Sequence, residues 1–202
     1  MENHRNVPLE LTPEDFRKLG HQLIDRIAEH FQQLPSSLLT KGSSPGKIRN
    51  LLGKESLPAN GTNPEKLLKE TAELLFQHSL FNGHPQFYGY ITSSATPIGA
   101  LGDLLAASAN PNVGSFILSP VGTEIEAQTI RWIAEMIGYP SNCGGILVSG
   151  GNMANFVCFL AARSAKTPWD VRKEGMKQSP VLCIYTSKET HTWIQKAADL
   201  FG

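Results

Sequence analysis

The stretch Gly144-Gly-Ile-Leu-Val-Ser-Gly-Gly-Asn-Met-Ala-Asn155 decides the fold predicted for this chain. Ile146–Ser149 is a short apolar run with β-branched residues, which predicts a buried strand. Gly150 and Gly151 then break the extended conformation, and Asn152 can cap a helix that follows. A strand, a glycine turn and a helix N-terminus leave unpaired backbone N–H groups that favour a bound phosphate or carboxylate. The same residues also fit a plain strand-to-helix turn, and their spacing matches neither nucleotide-binding glycine fingerprint.

Composition is typical of a globular protein, with 202 residues that are 41% hydrophobic and 18% charged. Basic and acidic residues number 18 each, so charge gives no support for a nucleic-acid partner. Cys143, Cys158 and Cys183 lack metal-ligand spacing, so no metal site is predicted and a reducing, cytoplasmic location is the simplest interpretation. Met1–Asn6 lacks the apolar region of a signal peptide, and no apolar run approaches membrane length, so no membrane partner is expected.

Pairs of a capping residue and a proline predict four helix starts. These pairs are Thr12-Pro13, Asn63-Pro64, Thr96-Pro97 and Ser119-Pro120. The first two helices predict a helical arm over residues 1–82, joined by a connector at Lys41–Pro64. The fourth helix is expected to bury one apolar face. That face comprises Ile125, Thr129, Trp132, Ile133 and Met136. Glu124 and Glu126 do not share a helical face, so solvation and pairing with the helix dipole are expected of them.

From Gly145 onward the predicted order is strand, helix, crossover, strand and helix. Val181–Tyr185 supplies the second apolar strand, and His191–Phe201 the last helical pattern. This alternation predicts an α/β architecture with parallel strands, in which ligands bind at the carboxyl ends of strands. Gly150–Asn152 and His191 each follow such an end, so a shared site is one interpretation. A lone histidine after a strand is also often structural or exposed to solvent.

Four blocks in this order resemble one family, the pyridoxal-phosphate-dependent group II amino-acid decarboxylases. They are His84-Pro85-Gln86-Phe87-Tyr88-Gly89-Tyr90, Ser119–Glu126, Gly145–Asn155, and His191 followed by Lys196-Ala197-Ala198. The family contains the aromatic-amino-acid, histidine and glutamate decarboxylases, and the resemblance runs from about Asp15 to Gly202. It implies that residues 83–202 form the first part of a fold-type-I, transferase-like large domain that binds pyridoxal 5'-phosphate. The helical arm would precede this incomplete domain and would pair two subunits in a homodimer.

The resemblance also implies roles for individual residues. Gly150, Gly151 and Asn152 would hold the cofactor phosphate, although family members often have Ser at the position of Asn152. His191 would be the catalytic residue that stacks on the cofactor ring and contacts the amino-acid substrate. Tyr90 and Thr92 would line the substrate pocket.

The implied activity is removal of carbon dioxide from an amino acid whose identity the sequence does not reveal. The family's Schiff-base lysine is expected after residue 202, because Lys188 and Lys196 do not stand in its His-Lys context. The 202-residue chain is therefore expected to be inactive by itself, as a fragment or a truncated product. One alternative is a non-catalytic remnant that binds a phosphate ligand or a sister subunit. Another is a transaminase or an aldehyde-releasing lyase on the same fold, against which the His84–Tyr90 block argues.

Overall fold

The computed structural model describes residues 10–53, 56–176 and 181–201, so the expectation about Met1–Asn6 lies outside the described residues. The chain divides into two compact units, Met1–Ser108 and Ala109–Gly202. In the first unit the helices are α1 (Pro13–Gln33), α2 (Pro45–Leu52), α3 (Pro64–His78) and α4 (Pro97–Ala109), with a 3₁₀ turn at Leu34–Ser36. In the second unit they are α5 (Pro120–Met136), α6 (Gly151–Lys166), α7 (Val171–Glu174) and α8 (Trp193–Phe201).

Local capping chemistry fixes where the helices begin. The Thr12 hydroxyl oxygen accepts a hydrogen bond from the Asp15 N–H at 3.1 Å, and the Asn63 side-chain oxygen accepts one from the Lys66 N–H at 3.1 Å. A proline follows each cap, where its missing N–H removes no helical hydrogen bond. The predicted starts of α1, α3, α4 and α5 are confirmed. None of the described helices is both long and apolar enough to cross a bilayer.

The connector predicted over Lys41–Pro64 is wrong at its centre, where α2 forms. The Ser44 hydroxyl accepts a hydrogen bond from the Lys47 N–H at 3.3 Å, and Pro45 occupies the first turn. This is the same pair of cap and proline that marks the other helix starts. The Ser44-Pro45 pair did not indicate a helix in the sequence, because the glycine and serine residues around it are typical of a loop.

In the arm, α1 and α3 lie side by side and run in the same direction. Lys18 pairs with Glu65 at 3.3 Å, and eight residues further along each helix Arg26 pairs with Glu73 at 3.5 Å. Hydrogen bonds from Gln22 and Lys18 lower the pKa of the Glu65 carboxyl. All four paired side chains are substantially exposed, and such pairs contribute little to stability, so packing must supply most of the attraction between the helices.

Ring contacts join the C-terminal halves of α1 and α3. The His30 imidazole stacks on Phe76 with ring centroids 4.3 Å apart and planes inclined by 4°. Phe81 contacts the same imidazole, with centroids 4.5 Å apart. Leu19 and Ala72 are buried between the same two elements. Partial burial lowers the pKa of His30, because the charged imidazolium loses hydration.

Neither predicted strand forms among the described residues. Ile146–Ser149 and Val181–Tyr185 have no regular secondary structure, and they are mostly exposed. A strand exists only where a neighbouring strand pairs with its N–H and C=O groups, and no described segment does so for either run. The described residues therefore pack helix on helix, and the parallel sheet of the predicted α/β architecture is not present among them.

The apolar core of the described residues is small. Its buried members are Leu19, Ala72, Ala134, Ile194 and Ala197. The prediction of a buried apolar face on α5 is wrong here, since Trp132 is 53% and Met136 77% exposed. No described segment packs over that side of α5, and an apolar helix face is buried only where another element covers it.

The lowered pKa of His30 predicts that the stability of the helical arm depends on pH. Because His30 binds a proton more weakly when folded, its contribution to stability is complete above the unfolded pKa of about 6.5 and is lost as pH falls. His30→Phe keeps an aromatic stack without a titrating group. In thermal unfolding of the full-length protein between pH 8 and pH 5, we expect the melting temperature of this variant to fall less than that of the wild type. Equal pH slopes for His30→Phe and the wild type would contradict the prediction.

Candidate functional site

The glycine turn predicted from the sequence lies at the start of α6. Gly150 is the N-cap and has φ +81°, a backbone conformation that side chains other than glycine rarely adopt. Its carbonyl accepts a hydrogen bond from the Ala154 N–H at 3.2 Å. The N–H groups of Gly151, Asn152 and Met153 have no acceptor among the described residues. The cap is therefore Gly150, and the prediction that Asn152 caps the helix is wrong, because Asn152 lies inside the first turn.

These three free N–H groups lie at the positive end of the helix dipole. The first turn of α6 contains no acidic residue that would compete with a bound anion. A Cβ atom built on Gly150 or Gly151 would meet no atom within 4 Å, so space beside the turn is open. The arrangement fits a phosphate or a carboxylate that accepts several backbone hydrogen bonds at once.

Helix α5 holds the segment that leads into the turn. The Glu126 carboxylate accepts a hydrogen bond from the Leu147 N–H at 2.7 Å. A Cβ atom on Gly145 would lie 2.8 Å from Cγ2 of Ile130, so only glycine allows this approach without a shift. The role of Glu126 differs from the expected solvation and dipole pairing. No local sequence pattern indicates this contact, because it joins residues that are 21 positions apart.

His191 lies immediately before α8, and its ring is tied to that helix. The Nδ1 atom accepts a hydrogen bond from the Trp193 N–H at 3.3 Å. A backbone N–H can only donate, so this bond places the ring proton on Nε2. The residue is exposed, and Nε2 is the ring nitrogen that remains to contact a ligand. Among the described residues no hydrogen bond or ring contact joins His191 to Gly150–Asn152.

Packing joins the helix that carries the glycine turn to the helix that follows His191. The Phe201 ring contacts Phe156 and Phe159, with centroid distances of 5.4 and 5.9 Å. The Arg163 guanidinium donates a hydrogen bond to the Phe201 carbonyl oxygen, and Ala197 is completely buried. The glycine turn thus precedes one helix and His191 precedes another, and these two helices pack on each other.

The predicted substrate residues belong to the other compact unit. Tyr90 and Thr92 lie in the segment between α3 and α4, and both are exposed. Tyr90 has φ +62°, an uncommon conformation for a residue with a bulky side chain. Such local strain is often retained at ligand-binding positions. No side-chain contact of Thr92 among the described residues assigns it a role.

Residues 45–202 match the family model described as the pyridoxal-dependent decarboxylase conserved domain. The chain belongs to the pyridoxal-dependent decarboxylase family. It is 31% identical over 194 residues to the aromatic-L-amino-acid decarboxylase of Bacillus atrophaeus, covering 96% of this chain and 38% of that protein. It is 30% identical over 197 residues both to tyrosine decarboxylase 4 of Petroselinum crispum and to phenylacetaldehyde synthase of Petunia hybrida, each time covering 95% of this chain and 38% of the relative. The chain thus spans well under half the length of these relatives.

Solved structures show the same fold. The TDC of Oryza sativa, solved with PLP and tryptamine, superimposes with a TM-score of 0.81 at 23% identity, over 98% of this chain and 43% of that one. The 4-hydroxyphenylacetaldehyde synthase of Rhodiola rosea gives a TM-score of 0.78 at 25% identity, over 97% and 42% of the two chains. Relatives named as aldehyde synthases therefore match as broadly as decarboxylases do. The extent of the match alone therefore does not distinguish the two reactions.

The close approach of Gly145 to Ile130 can be tested by substitution. Gly145→Ala should lower the free energy of unfolding by about 1–3 kcal/mol, because the stiff, branched Ile130 side chain must move. Gly144→Ala is the matched control, since a Cβ there meets no atom within 4 Å, and its effect should stay within about 0.5 kcal/mol. Urea unfolding of the full-length protein measures both. Equal effects of the two substitutions would show that the segment does not lie against α5.

Proposed function

We propose that the full-length protein that carries this chain is a pyridoxal-phosphate-dependent decarboxylase of amino acids with aromatic side chains. The free N–H groups of Gly151, Asn152 and Met153 support this proposal, because backbone donors at a helix N-terminus suit a dianionic phosphate. These three N–H groups are here called the anion seat. The aromatic class is supported by relatives named as aromatic-L-amino-acid and tyrosine decarboxylases.

Each residue of the site has a distinct part in this proposal. Pyridoxal phosphate, when bound, supplies the electron sink for the bond that loses carbon dioxide. Gly150–Asn152 bind the phosphate through backbone N–H groups and the Asn152 amide. His191 stacks on the cofactor ring, its orientation fixed by the hydrogen bond from Trp193 and its Nε2–H left to contact the substrate. Tyr90 and Thr92 line the pocket for the amino-acid side chain.

The arm over residues 1–82 is proposed to form a homodimer. An apolar cleft of about 800 Å³ runs along α1, and its lining includes Phe16 and Ile24 of α1, Leu68 of α3, and Leu101 and Leu104 of α4. An exposed apolar surface of this kind is typical of a protein contact. A second copy of the arm would cover it. A cytoplasmic location and a fold-type-I large domain over residues 83–202 complete the proposal.

The 202-residue chain is proposed to be inactive by itself. Lys188 is 91% exposed and pairs with its neighbour Glu189, and Lys196 is also exposed. A lysine that reacts covalently is typically desolvated in an apolar pocket, and neither of these side chains is buried.

If the anion seat binds the cofactor phosphate, a negative charge introduced beside it should weaken cofactor binding. Asn152→Asp places a carboxylate in the first turn of α6, where it suits the helix dipole but repels a dianionic phosphate. We expect the dissociation constant of pyridoxal phosphate for the full-length protein to rise about tenfold or more, with no loss of thermal stability in the cofactor-free state. Asn155→Asp, the same change one turn further along α6, should alter affinity less than about threefold. If both variants bind the cofactor as the wild type does, its phosphate lies elsewhere.

Turnover by the full-length protein tests the activity and the role of His191. With pyridoxal phosphate and L-tyrosine or L-tryptophan, we expect release of carbon dioxide and the corresponding amine. His191→Asn keeps an acceptor for the Trp193 N–H, since asparagine caps its own backbone two residues on, but it removes the ring. We expect kcat to fall about 100-fold with unchanged thermal stability, because the cofactor loses its orienting partner.

The reaction products distinguish a decarboxylase from the two alternative functions. An aldehyde with ammonia and hydrogen peroxide in place of the amine, formed with consumption of dioxygen as the oxidant, would assign the aldehyde-releasing reaction named for some relatives. Cofactor binding without release of carbon dioxide from any amino acid would favour the non-catalytic remnant. Full activity of His191→Asn would contradict the role proposed for the imidazole ring.

A further inference from the structure

His84 is buried, and both of its ring nitrogens are engaged. It is 4% exposed, whereas Tyr88 and Tyr90, further along the same segment, are each 90% exposed. Its Nδ1 accepts a hydrogen bond from the Gln86 N–H at 3.1 Å. Its Nε2 lies 2.9 Å from the Ser37 carbonyl oxygen, which can only accept, so Nε2 carries the proton and donates it. The ring therefore joins two segments that are 47 residues apart in sequence.

These two segments have different positions in the fold. Ser37 ends the 3₁₀ turn that follows α1, so it belongs to the helical arm. His84 begins the segment that carries Tyr90, and two backbone turns shape its start: His84 N–H donates to the Phe81 carbonyl at 3.1 Å and Phe87 N–H donates to the His84 carbonyl at 2.9 Å. The imidazole is the hydrogen-bonded link between the end of the arm helix and this segment.

The segment closes on itself beside His84. The Asn82 side-chain amide approaches the Ser93 carbonyl oxygen at 3.5 Å. A Cβ atom on Gly83 would lie 3.2 Å from Cβ of Ser94 and 3.4 Å from Cδ2 of Leu34. Residues 82–94 thus form a closed loop, here called the Tyr90 loop, whose base lies against the arm and whose exposed part includes Tyr90.

We propose that His84 is a positioning residue, and that its hydrogen bond to Ser37 sets the place of the Tyr90 loop relative to the helical arm and so controls substrate affinity. This inference rests on the proposed function, in which Tyr90 lines the substrate pocket and the arm forms the subunit contact. Of the two bonds that the ring makes, the bond to Gln86 shapes the loop locally and the bond to Ser37 ties it to the arm. The imidazole thus couples docking of the arm to placement of Tyr90, in addition to the packing of Gly83 near Leu34.

Two amide variants separate the local bond from the bond to the arm. In His84→Asn the short amide can still accept from the Gln86 N–H, as asparagine does in turns, but it does not reach Ser37. In His84→Gln the longer amide places an N–H near the position of Nε2 and can donate to the Ser37 carbonyl. In the full-length protein with L-tyrosine or L-tryptophan, we expect His84→Asn to raise KM about tenfold with kcat within about threefold. His84→Gln should restore KM to within about threefold of the wild type.

Amide hydrogen exchange gives a readout that does not depend on turnover. In the substrate-free protein, the backbone N–H groups of His84 and Phe87, which donate hydrogen bonds at the base of the Tyr90 loop, should exchange about tenfold faster in His84→Asn than in the wild type, and near the wild-type rate in His84→Gln. The reverse ranking, with Asn tolerated and Gln impaired, would show that only the local turn matters and would overturn the inference. Equal behaviour of the two variants would overturn it as well. If exchange follows the expected ranking while no amino acid is turned over, the link stands and the proposed function fails.

Discussion

The candidate site depends on the attachment of residues 144–149 to α5. The Leu147 N–H donates to the Glu126 carboxylate, and Gly145 approaches Ile130 closely enough to exclude a side chain. Because no described strand pairs with this segment, these contacts with one helix fix the point at which Gly150 starts α6. The direction of the free N–H groups in the first turn of α6 follows from that point. Loss of the attachment would leave the anion seat chemically intact but free to move.

Two histidines make the same local hydrogen bond and have different proposed roles. In both His84 and His191, Nδ1 accepts from the backbone N–H two residues further on, at 3.1 and 3.3 Å. His84 is buried, and its Nε2 bonds to Ser37, so no ring nitrogen remains for a ligand. His191 is exposed, and its Nε2 is unengaged among the described contacts. The two histidines therefore share the Nδ1 hydrogen bond, and they differ in burial and in whether Nε2 has a partner. These two differences underlie the positioning role proposed for His84 and the ligand contact proposed for His191.

The described helices leave apolar side chains exposed. Leu105 of α4 is 71% exposed and Met136 of α5 77% exposed, although each lies on a helix with an apolar face. Such faces gain stability when another element covers them, at about 25 cal/mol for each Å² of apolar surface buried. The relatives are much longer than this chain, and the arm is proposed to meet a second subunit. A second copy of the arm, as proposed, would bury part of the apolar cleft along α1.

The sequence by itself determined the features that depend on neighbours along the chain. Pairs of cap and proline at Thr12, Asn63 and Ser119 predicted helix starts, and Gly150 marked the turn before the anion seat. Only the tertiary structure decided the partners of Glu126 and His84, because those bonds join residues 21 and 47 positions apart. It also decided that the two apolar runs do not form strands among the described residues. Helices satisfy their backbone groups within one segment, whereas strands and buried side chains need a partner that local sequence does not specify.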